Sequence, residues 1–307
     1  MKAIFFGSSG FSVPILNSIS EQTILVVTKK AKPKGRGYAL NDNEVKRAAT
    51  ALGLPLMEID SFKDDIVKTL PDYNPELFVV ASFGLIVPKW ALDIPSRGPL
   101  NVHPSLLPLY RGPSPMQWAL LKGDAMTGIT LIRMNEKMDE GDVVYQEQVM
   151  IEPGENLTGL SKRLAVRSAA ILPDFLGTIE AQGTMSGTAQ QHEMATYTPI
   201  IAKEMGKIDW TKTAAEIDRQ VRAFVEWPVA YTFLDNKMVK IFDVAIEEGL
   251  SSSGNSGQIR GVTKKGILVD TAIDVLMIKD LQMENKKRMA AFDFARGYRN
   301  LTDKVLS

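Results

Sequence analysis

Four short apolar-rich runs, at 3–6, 23–27, 77–81 and 100–102, punctuate the first third of the chain, broken only by Thr23 and Asn101. Runs of this kind are strands covered on both faces, which is how a parallel sheet reads in sequence. The stretches 13–19 and 42–52 hold the helical spacing that crossovers between such strands require. Two further strands are predicted at 127–134 and 142–150, separated by the tight segment 135–141. This order of elements defines an α/β domain.

Leu157, Leu160, Leu164, Ile171, Leu172, Phe175 and Ile179 recur at helical spacing, with Asn156 before them as a start and Gly183 after them as a stop. One long amphipathic helix therefore closes the first domain. The segment 183–191 is small and polar, as expected of a flexible connection. We place a catalytic-size domain at 1–183, a linker at 184–199 and a second domain at 200–307. In the second domain Thr213 and Glu216 form a capping box ahead of Ile217, Val221 and Phe224. Short strands with turn signals follow at 230–234, 238–244, 258–262, 267–270 and 274–281, the pattern of a small β-barrel.

Composition narrows the chemistry. The chain has no cysteine and only two histidines, His103 and His192, so thiolate catalysis, disulfides and His/Cys zinc sites are excluded or nearly so, and no metal is expected. Lys plus Arg and Asp plus Glu are 36 each, so attraction to a polyanion must come from local clustering. No apolar run approaches the ~18 to 20 residues of a membrane span, and the apolar start ends at Gly7, too short for a secretory signal. A cytoplasmic protein with no membrane partner is expected.

The segment 95–115 carries six of the sixteen prolines, with Asn101, His103, Ser105 and Arg111 among them. In a strand ending at His103, residues two apart share a face, so Asn101 and His103 point together and Val102 points into the core. An amide that can donate to an oxyanion beside an imidazole that can move a proton suits acyl transfer. The spacing is equally compatible with Asn101 capping a turn and His103 being a satisfied core residue. Ser105 is a poor nucleophile candidate, since it lacks a Gly-x-Ser-x-Gly elbow. His192 lies in the polar connection and reads as a solvated imidazole.

Gly7-Ser8-Ser9-Gly10 follows the first strand, but Ser9 and Ser12 stand where a dinucleotide fingerprint needs glycine, and the second strand ends in Lys29-Lys30 instead of an acid. A turn capping the strand explains these residues. The run Lys29, Lys30, Lys32, Lys34, Arg36 contains no acid; it reads either as a solvated charge run or as an arm that neutralises phosphates.

The sequence Asn101-Val102-His103-Pro104-Ser105-Leu106-Leu107-Pro108, followed by Arg111-Gly112, resembles the formyltransferases that use 10-formyltetrahydrofolate. The likeness continues through Ser82-Phe83-Gly84-Leu85-Ile86-Val87-Pro88, Lys34-Gly35-Arg36-Gly37, Met138-Asp139-Glu140-Gly141-Asp142 and Lys207-Ile208-Asp209-Trp210, and reaches Trp227-Pro228. The last two groups lie in the second domain, which is the mark of the branch acting on initiator methionyl-tRNA. The resemblance implies a Rossmann-like, mostly parallel sheet followed by an OB-like barrel that binds tRNA. It implies Asn101, His103 and Asp139 as catalytic residues, with Asp142 the competing acid in the same motif. It places the folate co-substrate on Ser105, Leu106, Leu107 and Pro108, with Phe83, Gly84, Leu85 and Ile86 as pocket wall, and the tRNA on Arg36, Lys34 and Lys32. A monomer is expected. The alternatives are a formyltransferase of a small amine, such as an amino sugar nucleotide or glycinamide ribotide, and a non-catalytic RNA-binding protein.

Overall fold

Every residue of the first apolar run is buried, forming strand β1 (Ala3–Gly7). After it come α1 (Ser12–Ser18), β2 (Thr23–Lys29), the short pair β3 (Pro33–Lys34) and β4 (Ala39–Leu40), α2 (Glu44–Ala51) and β5 (Leu56–Ile59). The chain continues through β6 (Leu77–Ala81), α3 (Lys89–Leu92), β7 (Pro99–His103), α4 (Pro115–Lys122), β8 (Met126–Arg133), β9 (Asp142–Met150) and α5 (Leu157–Gln182). The computed structural model describes residues 1–31, 33–34, 39–40 and 42–307. These form two compact units, the first of Met1–Pro115, Met126–Met150 and Ser161–Pro199, the second of Met116–Ala125, Ile151–Leu160 and Ile200–Ser307.

The sheet of the first unit runs β5-β2-β1-β6-β7-β8-β9. Pairing is parallel from β5 to β7 and antiparallel from β7 to β9. The chain winds outward from β1 through β2 to β5, then returns to β6 on the other side of β1. Loops leaving β1 and β6 therefore diverge, opening a crevice at the carboxyl ends of the central strands, where open α/β sheets take their ligands. Strand β7 delivers His103 to that same end. Beneath it Phe6 packs against Phe78 and Phe83, with ring centroids 4.9 and 5.4 Å apart.

Local signals explain the helix ends. Asn43 accepts from the Lys46 amide (2.9 Å) to start α2, and Asn156 accepts from the Gly159 amide (3.0 Å) to start α5. The Gly183 amide bonds the Ile179 carbonyl (2.9 Å) at φ +74°, which stops α5. Beyond Gly183 the segment expected to be a flexible connection is instead laid along the first unit. Thr188 exchanges two 2.8 Å backbone bonds with Val143, and Met185 and Gln190 are buried.

In the second unit the Thr213–Glu216 box opens α6 (Ala214–Ala223): the Glu216 amide bonds Thr213 Oγ1 (3.2 Å) and the Thr213 amide bonds Glu216 Oε2 (2.9 Å). The strands are β10 (Ala230–Leu234), β11 (Lys237–Ser251), β12 (Ile259–Thr263), β13 (Gly266–Asp270), β14 (Asp274–Met283) and β15 (Met289–Ala290), with α7 (Ala291–Arg296) after them. Asp235 and Asn236 both take positive φ in the β10–β11 turn, as a tight hairpin requires. The order β10-β11-β14-β13-β12 is antiparallel throughout. Residues 303–307 join its two edges. The Ile259 amide bonds the Lys304 carbonyl (2.7 Å) and the Leu306 amide bonds the Gly257 carbonyl (2.8 Å), while Phe233 and Ser307 exchange bonds of 2.9 and 3.1 Å. A sheet closed on itself has no edge left to pair, and Ile241, Val269, Ile278 and Leu306 fill its interior.

Candidate active site

Strand β7 places Leu100 and Val102 in the core, while Asn101 is half-buried and His103 is 4% exposed. The two polar side chains meet at Asp139. Asn101 Nδ2 donates to Asp139 Oδ1 at 3.2 Å, and His103 Nδ1 lies 3.6 Å from the same oxygen. The other carboxylate oxygen accepts the Gly112 amide at 2.8 Å. Asp142, the competing acid, begins β9 opposite Arg133 with its side chain exposed and stands outside this group.

Asp139 reaches this position because the 135–141 segment makes a tight return. Its φ is +54°, a conformation that Asp tolerates through local hydrogen bonding. Gly141 then passes against β8: a Cβ there would stand 1.9 Å from the Arg133 carbonyl oxygen, so only glycine fits.

The proline-rich loop after β7 is tied down by its own backbone. Ser105 is fully buried and its hydroxyl donates to the Leu109 carbonyl at 2.7 Å. Thr130 Oγ1 donates to the Ser105 carbonyl (2.6 Å) and accepts the Leu107 amide (3.2 Å), and Gln146 Nε2 donates to the Leu107 carbonyl (2.8 Å). Leu107 is buried too. Of the four residues expected on the co-substrate, Ser105 and Leu107 are therefore spent on holding the loop, which leaves Leu106 and Pro108 half-buried at its surface. The second stretch divides likewise. Phe83 is a core residue of the aromatic cluster, Leu85 packs beside it, and Gly84 and Ile86 are open. Neither stretch is a strand: Ser82 and Gly84 take positive φ and 104–110 is a turn, so which side chains face inward is set by these local bends.

Arg111, which the sequence places in the proline-rich segment without indicating a role, is 1% exposed. Its guanidinium donates to Gln190 Oε1 from Nε (3.1 Å) and Nη2 (2.8 Å), to the Tyr197 hydroxyl (3.0 Å) and to His192 Nδ1 (3.0 Å). His192 is thus no solvated bystander, although its side chain is half exposed. Glu140 stands 3.4 Å from Arg111, and its carboxyl is held below the usual range first by the Tyr197 hydroxyl donating to it (2.9 Å), then by the nearby cations. Gln190 had no signal in the sequence, because a polar linker glutamine looks like any other.

Arg36 and Lys32 lie outside the described residues, and Lys34 enters the description only as backbone in β3. No helix among the described residues is long and apolar enough to cross a membrane.

An amide and an imidazole from one strand of a Rossmann-like sheet thus meet a loop carboxylate, and the formyl transferase family matches residues 1–176, with its C-terminal domain matching 200–299. The chain is 38% identical to a methionyl-tRNA formyltransferase of Agathobacter rectalis over 97% of this chain and 96% of that one. It belongs to the formyl transferase family, among relatives that carry that name. Two solved structures share the fold. HypX from Aquifex aeolicus, in complex with tetrahydrofolic acid, has a TM-score of 0.61 at 18% identity and covers 98% of this chain; the chain spans about half (47%) of HypX. WlaRD, a sugar 3N-formyl transferase, has a TM-score of 0.65 at 18% identity, covering 94% of this chain and 99% of its own.

Proposed function

We propose that this chain moves the formyl group of 10-formyltetrahydrofolate to the α-amine of methionine on initiator methionyl-tRNA. The amine attacks the formyl carbon, an oxyanion forms on the carbonyl oxygen, and collapse breaks the bond to N10 of the folate, which leaves carrying a proton. The observation that supports this most is the meeting of Asn101 and His103 on Asp139 in a chain similar over nearly its full length to enzymes named for that reaction.

Asn101 Nδ2 carries two N–H groups and gives one to Asp139, so the second serves the oxyanion, a role worth ~2.7 to 4 kcal/mol. His103 takes the proton from the amine and returns it to the leaving nitrogen. Asp139, fixed by Asn101 and Gly112, steers the imidazole and stabilises its charged form. Leu106, Pro108, Gly84 and Ile86 are the residues with surface left to meet the folate. No covalent enzyme intermediate enters; the work is positioning two bound substrates. We read 1–183 as catalytic and 200–307 as the tRNA-binding part, acting in the cytoplasm where charged tRNA is made.

The test is direct. Purified protein, 10-formyltetrahydrofolate and methionine-charged initiator tRNA should yield N-formylmethionine on hydrolysis. No product with the tRNA, together with formylation of an amino sugar nucleotide or glycinamide ribotide, overturns the choice of acceptor.

A further inference from the structure

We infer that Gln190, held by Arg111, is a positioning residue that clamps the Asp139 loop in its reactive conformation. The inference rests on the catalytic reading of Asp139. Gln190 is 7% exposed, and its amide uses its whole hydrogen-bonding capacity on the Arg111 guanidinium and two backbone carbonyls. Its oxygen accepts twice from the Arg111 fork, at 3.1 and 2.8 Å. Its nitrogen donates twice, to the Asp139 carbonyl at 2.8 Å and the Gly141 carbonyl at 2.7 Å. Those two carbonyls bracket Glu140 at the point where the chain takes its positive φ.

Among the described residues, no other side chain bonds both carbonyls of this turn. Asp139 has a left-handed backbone that costs free energy when unsupported, and its carboxylate must face Asn101, His103 and Gly112 together. A side chain bonded to both flanking carbonyls fixes that rotation. The clamp is itself anchored: the Arg111 amide bonds the Thr196 carbonyl and the Thr198 amide bonds the Arg111 carbonyl, each at 2.8 Å, so Arg111 is tied by its main chain to the segment that carries Gln190. Arg111 and Gly112 are adjacent, so one short stretch holds the carboxylate from its front and, through Gln190, from behind. The segment between the two family-matched regions therefore acts on the catalytic geometry and does more than connect.

Gln190→Glu is the informative variant. It keeps an acceptor for Arg111 while removing both donors and setting an oxygen against two carbonyl oxygens. We expect kcat to fall between about ten- and a hundredfold, with KM for folate and tRNA within about twofold, since neither substrate is touched. A readout independent of turnover is hydrogen exchange at the Gly112 amide, whose acceptor is Asp139 itself. Its exchange should quicken about tenfold, the equivalent of one lost hydrogen bond. Asp139→Ala sets the reference for full loss of that protection, and Gln190→Ala guards against an effect peculiar to the new charge. Unchanged Gly112 exchange and unchanged kcat in both Gln190 variants, with Asp139→Ala inactive, overturn the clamp alone. An active Asp139→Ala enzyme overturns the catalytic reading, and the positioning claim falls with it.

Discussion

His103 Nε2 lies 3.0 Å from the carbonyl oxygen of Tyr110. A carbonyl can only accept, so this contact is a hydrogen bond only when Nε2 carries the proton. In the neutral ring the lone pair then sits on Nδ1, the nitrogen facing Asp139 at 3.6 Å, and a proton taken up there is directed at the carboxylate. The backbone of the proline-rich loop thus selects the tautomer that leaves a base beside the carboxylate, the orienting role that a third group plays for a catalytic imidazole.

His103→Gln separates structure from chemistry. A glutamine amide nitrogen reaches the Tyr110 carbonyl as Nε2 does but supplies no base. The variant should fold, with a melting temperature close to the parent's, while the single-turnover rate falls about 10²- to 10⁴-fold. Rapid-quench formylation at saturating substrates measures it, and a rate near the parent's would remove His103 from the proton path.

Asn101→Ala should lower the same rate about 10²- to 10³-fold with little change in folate affinity. The amide is half-buried and bonded only to Asp139 among the described residues, so a loss of affinity in place of rate would make it a binding group.

Gly128 underlies the loop. A Cβ there would stand 2.2 Å from the Glu147 carbonyl oxygen and 2.3 Å from Leu106 Cδ2. Gly128→Ala forces either β8 from β9 or Leu106 from its seat. We expect a loss of about 1 to 3 kcal/mol in urea unfolding and a raised KM for the folate, with KM for tRNA unchanged. A variant as stable as the parent with unchanged folate KM would show that Leu106 does not face the donor.

Much of this site is readable in the sequence because strand periodicity is short-ranged. Two residues apart on β7 is enough to bring Asn101 and His103 to one side and Val102 to the other. The closed loop around them is not readable, because the satisfaction of Ser105 depends on Leu109 curling back and that of Leu107 on Thr130 and Gln146 arriving from other strands. The packing of Met185 and Gln190 was hidden for a similar reason: a small polar segment carries no periodicity, and its docking depends on a buried arginine far away in the chain. The barrel was legible as a series of strands, while the tail that closes it has neither alternation nor length.

That tail carries a stability prediction. Leu306 is 5% exposed within the barrel interior, and its amide bonds Gly257. Leu306→Ala should cost about 2 to 5 kcal/mol, seen as earlier unfolding of the second unit by hydrogen exchange in β10 and β12. Exchange in the β7 region of the first unit is the control. Equal protection in both strands would mean that the closure adds nothing.

The last prediction concerns alkali. Near the same tail, the Tyr298 hydroxyl donates to Asp235 Oδ2, and Lys304 Nζ reaches that oxygen at 2.5 Å. The bond to Asp235 is the main cause that pushes the phenol from 10.0 up to about 12. Asp235 is held below the usual carboxylate range, first by Lys304 and then by Tyr298. A phenol whose pKa is raised on folding binds its proton more tightly in the native state, so its contribution is whole below 10.0 and is lost as pH rises through about 12. The depressed Asp235 behaves oppositely: its contribution is present above 3.8 and is lost only as pH falls through its lower native value. The gap in melting temperature between parent and Tyr298→Phe should therefore be flat from mildly acid pH to about pH 10 and close above it. Thermal unfolding of both proteins across that range reads the gap, and one that widens with alkali would show that the phenol is not stabilised in its protonated form.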